Sequence, residues 1–182
     1  METVIVSYSY TGNNEKLGEN VAKALSVKHI RISEPKARSI GTFALDALTG
    51  RTPQVSPAPD AIKPYDEIIF FAPVWMGCVA APLRAYLKML KDYPSKHLIF
   101  FTVSGGADGS NTKLAGDLKK RTENNRISVL ELPVTGLMTS QDQPQRKDTS
   151  AYKLTSGDVE KLTSRVLQHI RDQRSRNDSL GN

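Results

Sequence analysis

Cysteine is almost missing from this chain: Cys78 stands alone. One thiol closes no intrachain disulfide and builds no cysteine-based zinc site. The three histidines, His29, His97 and His169, are scattered along the sequence and form no metal-ligand spacing. No apolar run approaches the roughly 18 to 20 residues of a bilayer-spanning helix. No basic and apolar leader opens the chain, so a soluble cytoplasmic protein is expected, and the sequon at Asn177-Asp178-Ser179 is read as chance. No Gly-Lys-Ser/Thr follows a glycine-rich loop, and no G-x-G-x-x-G follows the first strand, which removes the P-loop and the dinucleotide fingerprint. A Ser-His-Asp constellation is also missing.

What is present suits one domain with a substantial core: 182 residues, 38% hydrophobic. The formal charge is +6, concentrated in Lys119-Lys120-Arg121 and between Arg165 and Arg176. Neither basic run contains an aromatic residue, so both read as solvated helix faces rather than a nucleic-acid surface.

The apolar pattern alternates strand and helix. Strands are expected at Val4–Tyr8, Val27–Ile32, Glu67–Pro73, His97–Val103 and Ile127–Val134. Ile68-Ile69-Phe70-Phe71-Ala72 is continuously apolar, which marks a central parallel strand buried on both faces. Helical spacing appears over Asn13–Ser26, Pro82–Lys91, Asn111–Arg121 and Asp158–Asp172, and again between Pro35 and Gly50 at Ile40, Phe43, Ala44, Ala47 and Leu48. Pro53, Pro57, Pro59 and Pro64 punctuate a loop expected to run irregularly over the surface. Five strands alternating with helices predict an α/β fold: an open, doubly wound, five-stranded parallel sheet in a three-layer sandwich, strand order 2-1-3-4-5. The domain is expected to span residues 1–174, with 175–182 a disordered tail. A receiver domain shares this fold but needs acidic residues after the first strand, where Ser7-Tyr8 stands.

Ligands in such sheets bind at the carboxyl ends of the strands, where the winding reverses. Three loops converge there. The first, Ser7-Tyr8-Ser9-Tyr10-Thr11-Gly12-Asn13-Asn14, joins a strand to a helix N-terminus. Unpaired N–H groups and the helix dipole attract an anion there, hydroxyls add donors, and Gly12 permits close approach. Lys16 is the nearest cation in sequence. The same residues also suit a turn that does no more than cap a helix. The run Ser9-Tyr10-Thr11-Gly12-Asn13-Asn14 resembles the FMN-phosphate loop of the flavodoxin family, S/T-x-T-G-N-T, with Asn14 in place of Thr and its amide still able to donate.

The second loop, Ala72-Pro73-Val74-Trp75-Met76-Gly77-Cys78, holds the only tryptophan. An indole there either packs into the loop or covers a flat ligand. Followed by Ala81-Pro82, it is similar to the P-V-W-x-G…P-x-P segment of bacterial flavodoxin-like oxidoreductases. The third loop, Ser104-Gly105-Gly106-Ala107-Asp108-Gly109-Ser110, looks like the S-G-G loop of the same relatives, and alone also suits a flexible turn. Ala47-Leu48-Thr49-Gly50-Arg51 resembles an A-L-x-G-R segment of other relatives.

The resemblance implies non-covalent FMN. Ser9, Tyr10, Thr11, Gly12, Asn13 and Asn14 would hold the phosphate. Pro73, Val74, Trp75, Met76 and Gly77 would line the ring, and Ser104, Gly105, Gly106 and Asp108 would close its far edge. No side chain stands out as a catalytic acid or base, and Cys78 is expected to be an inert thiol. Lacking a second aromatic in the third loop, the chain would leave one ring face open to a nicotinamide or substrate. The implied activity is an NAD(P)H-dependent oxidoreductase reducing a quinone or similar acceptor. The alternatives are a one-electron carrier serving a redox partner protein, or a binding module without flavin. Such carriers are typically acidic, which this chain is not. Dimers are common among these relatives, so a homodimer is in keeping with them.

Overall fold

A computed structural model describes residues 1–35, 50–75, 77–107, 109–124, 126–138 and 144–180, the side chains of Asp178 and Leu180 apart. Seven strands are named β1 (Thr3–Ser7), β2 (Lys28–Arg31), β3 (Glu67–Phe71), β4 (Val74–Trp75), β5 (Cys78–Val79), β6 (His97–Ser104) and β7 (Ser128–Pro133). The helices are α1 (Asn13–Leu25), α2 (Arg84–Leu90), α3 (Leu114–Thr122), α4 (Arg146–Ala151) and α5 (Ser156–Leu180).

Five strands form one parallel sheet in the order β2-β1-β3-β6-β7, so the winding reverses between β1 and β3. Counted within that sheet, this is the expected 2-1-3-4-5. The short β4 and β5 pair with each other as an antiparallel hairpin, which the sequence pattern did not announce.

Successive side chains on a strand point to opposite faces, so a strand with no polar positions must be covered twice. Val4, Val6, Ile68, Phe70 and Phe100 pack on one side with Leu83, Tyr86, Leu87 and Leu90 and with Leu114 and Leu118 of α3. Ile5, Ile69, Phe71 and Phe101 pack on the other with Leu17 and Val21 of α1 and Val159, Leu162, Val166 and Ile170 of α5. Phe71 and Phe101 stack with ring centroids 5.0 Å apart. The two faces make the three-layer sandwich, each fully buried Leu, Ile or Phe contributing roughly 1.5–3 kcal/mol.

Three expectations need correction. The proline-rich loop is partly regular: Pro59–Ile62 forms a 3-10 turn, Ile62 is fully buried, and Ser33 and Ser56 exchange backbone hydrogen bonds of 2.8 and 2.9 Å. Tyr86 secures it by donating to the Pro57 carbonyl at 2.6 Å, and burial pushes that phenol up to about 12. The last helix does not stop near Asp172 or give way to a disordered tail at 175; it continues to Leu180. Arg174 explains this by reaching the buried Glu67 carboxylate at 2.5 and 3.1 Å, and Asn177 Nδ2 lies 3.3 Å from His97 Nδ1. Finally, α4 sits where no helix was expected, because its hydrophilic sequence carries no apolar period. The helix expected between Pro35 and Gly50 falls at 36–49, outside the described residues. None of the helices, among the described residues, is long and apolar enough to cross a membrane.

Candidate functional site

The loops after β1, β3 and β6 meet at the carboxyl ends of the strands and enclose a cleft in two joined parts. The narrower, of about 250 Å³, is lined by Tyr10, Thr11, Asn13 and Asn14 of the first loop and by Pro73, Val74 and Trp75 of the second. The wider, of about 710 Å³, is lined by Gly77, Gly106, Lys113, Glu131 and Arg146 among others. Val74, Ser104, Gly105, Thr149 and Ser150 border both parts. Of the residues expected to form a site, Met76 and Asp108 lie outside the described residues.

Helix α1 begins at Gly12, whose φ of +90° is left-handed backbone that suits glycine, and no side chain caps the helix N-terminus. Apart from its chain neighbours, none of the described residues lies within 4 Å of where a Gly12 Cβ would be. The Ser9 hydroxyl is buried and has no hydrogen-bond partner among the described residues. Leaving a buried hydroxyl unpaired costs about 1–3 kcal/mol, and a ligand oxygen beside it would relieve that cost. Uncapped N–H groups, an open glycine and an orphaned hydroxyl together suit a phosphate.

The two asparagines work differently from the expectation. The Asn14 amide, 2% exposed, accepts from Val103 N at 2.8 Å and donates to Val103 O at 3.3 Å. Asn13 accepts from Leu154 N at 3.1 Å and donates to Tyr152 O at 2.8 Å. Both side chains are spent on tying the loop to β6 and to the segment before α5. Their backbone N–H groups, not their amides, remain for an anion. Lys16 is likewise turned away, donating to Leu154 O at 2.7 Å. Lys153 Nζ instead donates to the Thr11 carbonyl and supplies the cation at the loop.

Trp75 lines the narrower part and meets Tyr8 edge to face, 6.0 Å between centroids at 82°. It also packs against the core, so ligand-facing and structural readings of this indole both apply. Asp117 fixes the hairpin that carries it, accepting from Val79 N at 3.1 Å. In the third loop, a Cβ on Gly106 (φ +79°) would lie 2.5 Å from Pro133 Cβ, and one on Gly105 would lie 2.8 Å from Thr149 Oγ1. These glycines are needed for close packing against β7 and α4, as well as for backbone approach to a ligand. Sequence reasoning missed Thr149, Ser150 and Arg146 on α4, and also Lys113, Glu131 and Lys153. A signal for α4 existed in the capping box, in which Gln145 and Asp148 bond reciprocally.

His29 and His169 sit away from the cleft, each 2.8 Å from a serine hydroxyl, Ser7 and Ser128. Burial holds both imidazoles below the usual histidine range, and neighbouring arginines add to the effect. Cys78 is half-buried in β5. No group of three or more acidic, histidine or cysteine residues could hold a metal among the described residues.

No family model matches this sequence, and no curated protein matches it. Solved structures do resemble it. A flavoprotein of Lactobacillus acidophilus, solved in complex with FMN, is 22% identical over 75% of this chain and 95% of its own, with a TM-score of 0.51. A candidate flavoprotein of Bacteroides uniformis is 16% identical over 72% of this chain and 91% of its own, with a TM-score of 0.60. Another from Bacteroides eggerthii is 18% identical over 71% and 85%, with a TM-score of 0.59. With the strand order and the position of the winding reversal, these likenesses establish that the chain has the flavodoxin-like fold.

Proposed function

We propose that the cleft binds FMN and that the protein is an oxidoreductase moving electrons or hydride from NAD(P)H to a quinone or similar acceptor. The observation that carries this reading is the buried, unpartnered Ser9 hydroxyl beside the uncapped start of α1. FMN in the Lactobacillus acidophilus flavoprotein of the same fold supports it. When bound, FMN would supply the redox chemistry.

The chain's own residues would bind and orient. Ser9 and the first N–H groups of α1 would hold the phosphate, and Lys153 would add positive charge at Thr11. Asn13 and Asn14 would keep the loop in place through their bonds to Leu154, Tyr152 and Val103. Pro73, Val74 and Trp75, with Ser104 and Gly105, would bound the cofactor from the other two loops. The wider part of the cleft is lined by no aromatic among the described residues, which favours entry of a second flat molecule over a sealed electron-carrier site.

Mixing FMN-loaded protein with NADPH in the absence of air tests this. Rapid loss of the yellow flavin absorbance is expected. Colour that persists with NADPH but fades with dithionite refutes the nicotinamide-dependent activity and leaves the carrier. Protein that stays colourless after incubation with FMN and desalting refutes both.

A further inference from the structure

Away from the cleft, α2 and α3 enclose a separate groove of about 430 Å³. Arg84, Lys88 and Lys91 stand at i, i+4 and i+7, a spacing that puts them in one stripe along α2 and its C-cap. Lys120 and Arg121 of α3 line the same groove, so among the described residues five basic side chains converge on it with one carboxylate, Asp117. That carboxylate is already committed: Oδ1 accepts from Arg121 Nε at 2.8 Å and Oδ2 from Val79 N at 3.1 Å. Glu123 neutralises Lys91 at 2.6 Å. Lys88 and Lys120, both exposed, have no such counter-ion among the described residues.

We propose that this groove is a binding site for a small polyanion, a ligand carrying two or more phosphates. Cations brought together from two helices repel one another, and a multiply charged ligand converts that cost into attraction. The groove's volume matches a compact molecule rather than a flat protein patch. Its lining includes no aromatic side chain among the described residues on which a nucleic-acid base could stack. In the sequence, Lys119-Lys120-Arg121 reads as a solvated run, and only the crossing of α2 and α3 turns part of it toward a shared cavity.

Calorimetric titration with inorganic tripolyphosphate at low ionic strength tests the site. The full chain is compared with Lys88→Glu/Lys120→Glu, Lys88→Gln/Lys120→Gln and Ser9→Ala. Saturable binding at this groove is expected, over and above any at the first loop, and weakening as salt is raised. The double charge reversal should weaken it by about tenfold or more. The double glutamine variant should weaken it less, and serves if the reversal fails to fold. Ser9→Ala should leave it unchanged, because the first loop is a different anion site. The proposal is overturned by absence of saturable heat, by equal affinity in both lysine variants, or by loss of binding in Ser9→Ala. Tighter binding of a poly-glutamate peptide than of tripolyphosphate also overturns it, in favour of an acidic protein partner. FMN affinity, measured separately, reports on the cleft alone.

Discussion

Replacing Ser9 by alanine is expected to stabilise the ligand-free protein while weakening its hold on FMN. The hydroxyl is buried without a partner, so the folded state carries its desolvation cost unrelieved. That cost is about 1–3 kcal/mol for a buried hydroxyl, and the oxygen-sized void left by alanine returns part of it. A net gain of about 1 kcal/mol follows, which in a chain of this size raises the melting temperature by roughly 2–4 °C. With FMN bound, the same hydroxyl would donate to an anionic phosphate, a bond contributing about 1.5–3 kcal/mol. Its loss weakens the dissociation constant roughly ten- to hundredfold. Thermal unfolding without FMN gives the first quantity, and quenching of flavin fluorescence on titration gives the second. An apoprotein destabilised by Ser9→Ala, or a variant that binds FMN as tightly as the parent, refutes the reasoning.

Other perturbations separate scaffold from site. Asn14→Ala strips the Val103 N–H and C=O of their buried partners and should lower unfolding free energy by about 2–4 kcal/mol in urea titrations. Arg174→Met leaves the Glu67 carboxylate, 1% exposed, with the Thr3 hydroxyl as its one remaining partner among the described residues. Because a third of the Arg174 side chain is open to solvent, the loss should be about 2–3 kcal/mol rather than the ~3–5 of a fully buried pair, and adding Glu67→Gln should recover much of it. For pH, His29 and His169 have folded values held below their unfolded value of 6.5. The unfolded chain therefore binds protons first, so stability is full above about 6.5 and falls as pH drops below it. Replacing both with asparagine should flatten that acid-side slope, and an unchanged slope assigns it to other groups.

Periodicity is what made the scaffold legible. A strand such as Ile68-Ile69-Phe70-Phe71 cannot meet water on either face, so its central place follows from composition along a few residues. The three loops could be located for the same reason, since a doubly wound sheet brings the ends of β1, β3 and β6 together. Hydroxyls, glycine and a helix start are likewise local features. Partner choice is not local. Whether Asn14 offers its amide to a ligand or to Val103, 89 residues away, depends on which backbone group folding sets beside it. Lys16, the nearest cation in sequence, turns to Leu154, and Lys153, which no local pattern singled out, reaches the loop instead, because the segment before α5 packs on the start of α1. Helix α4, hydrophilic and short, owes its place over the cleft to Thr149 packing on Gly105. The extension of α5 to Leu180 needed Glu67 at the far end of β3, and the basic groove needed α2 and α3 side by side. Backbone pattern and loop position are written along the chain because burial has a period; the identity of each polar side chain's partner is settled only when distant segments meet.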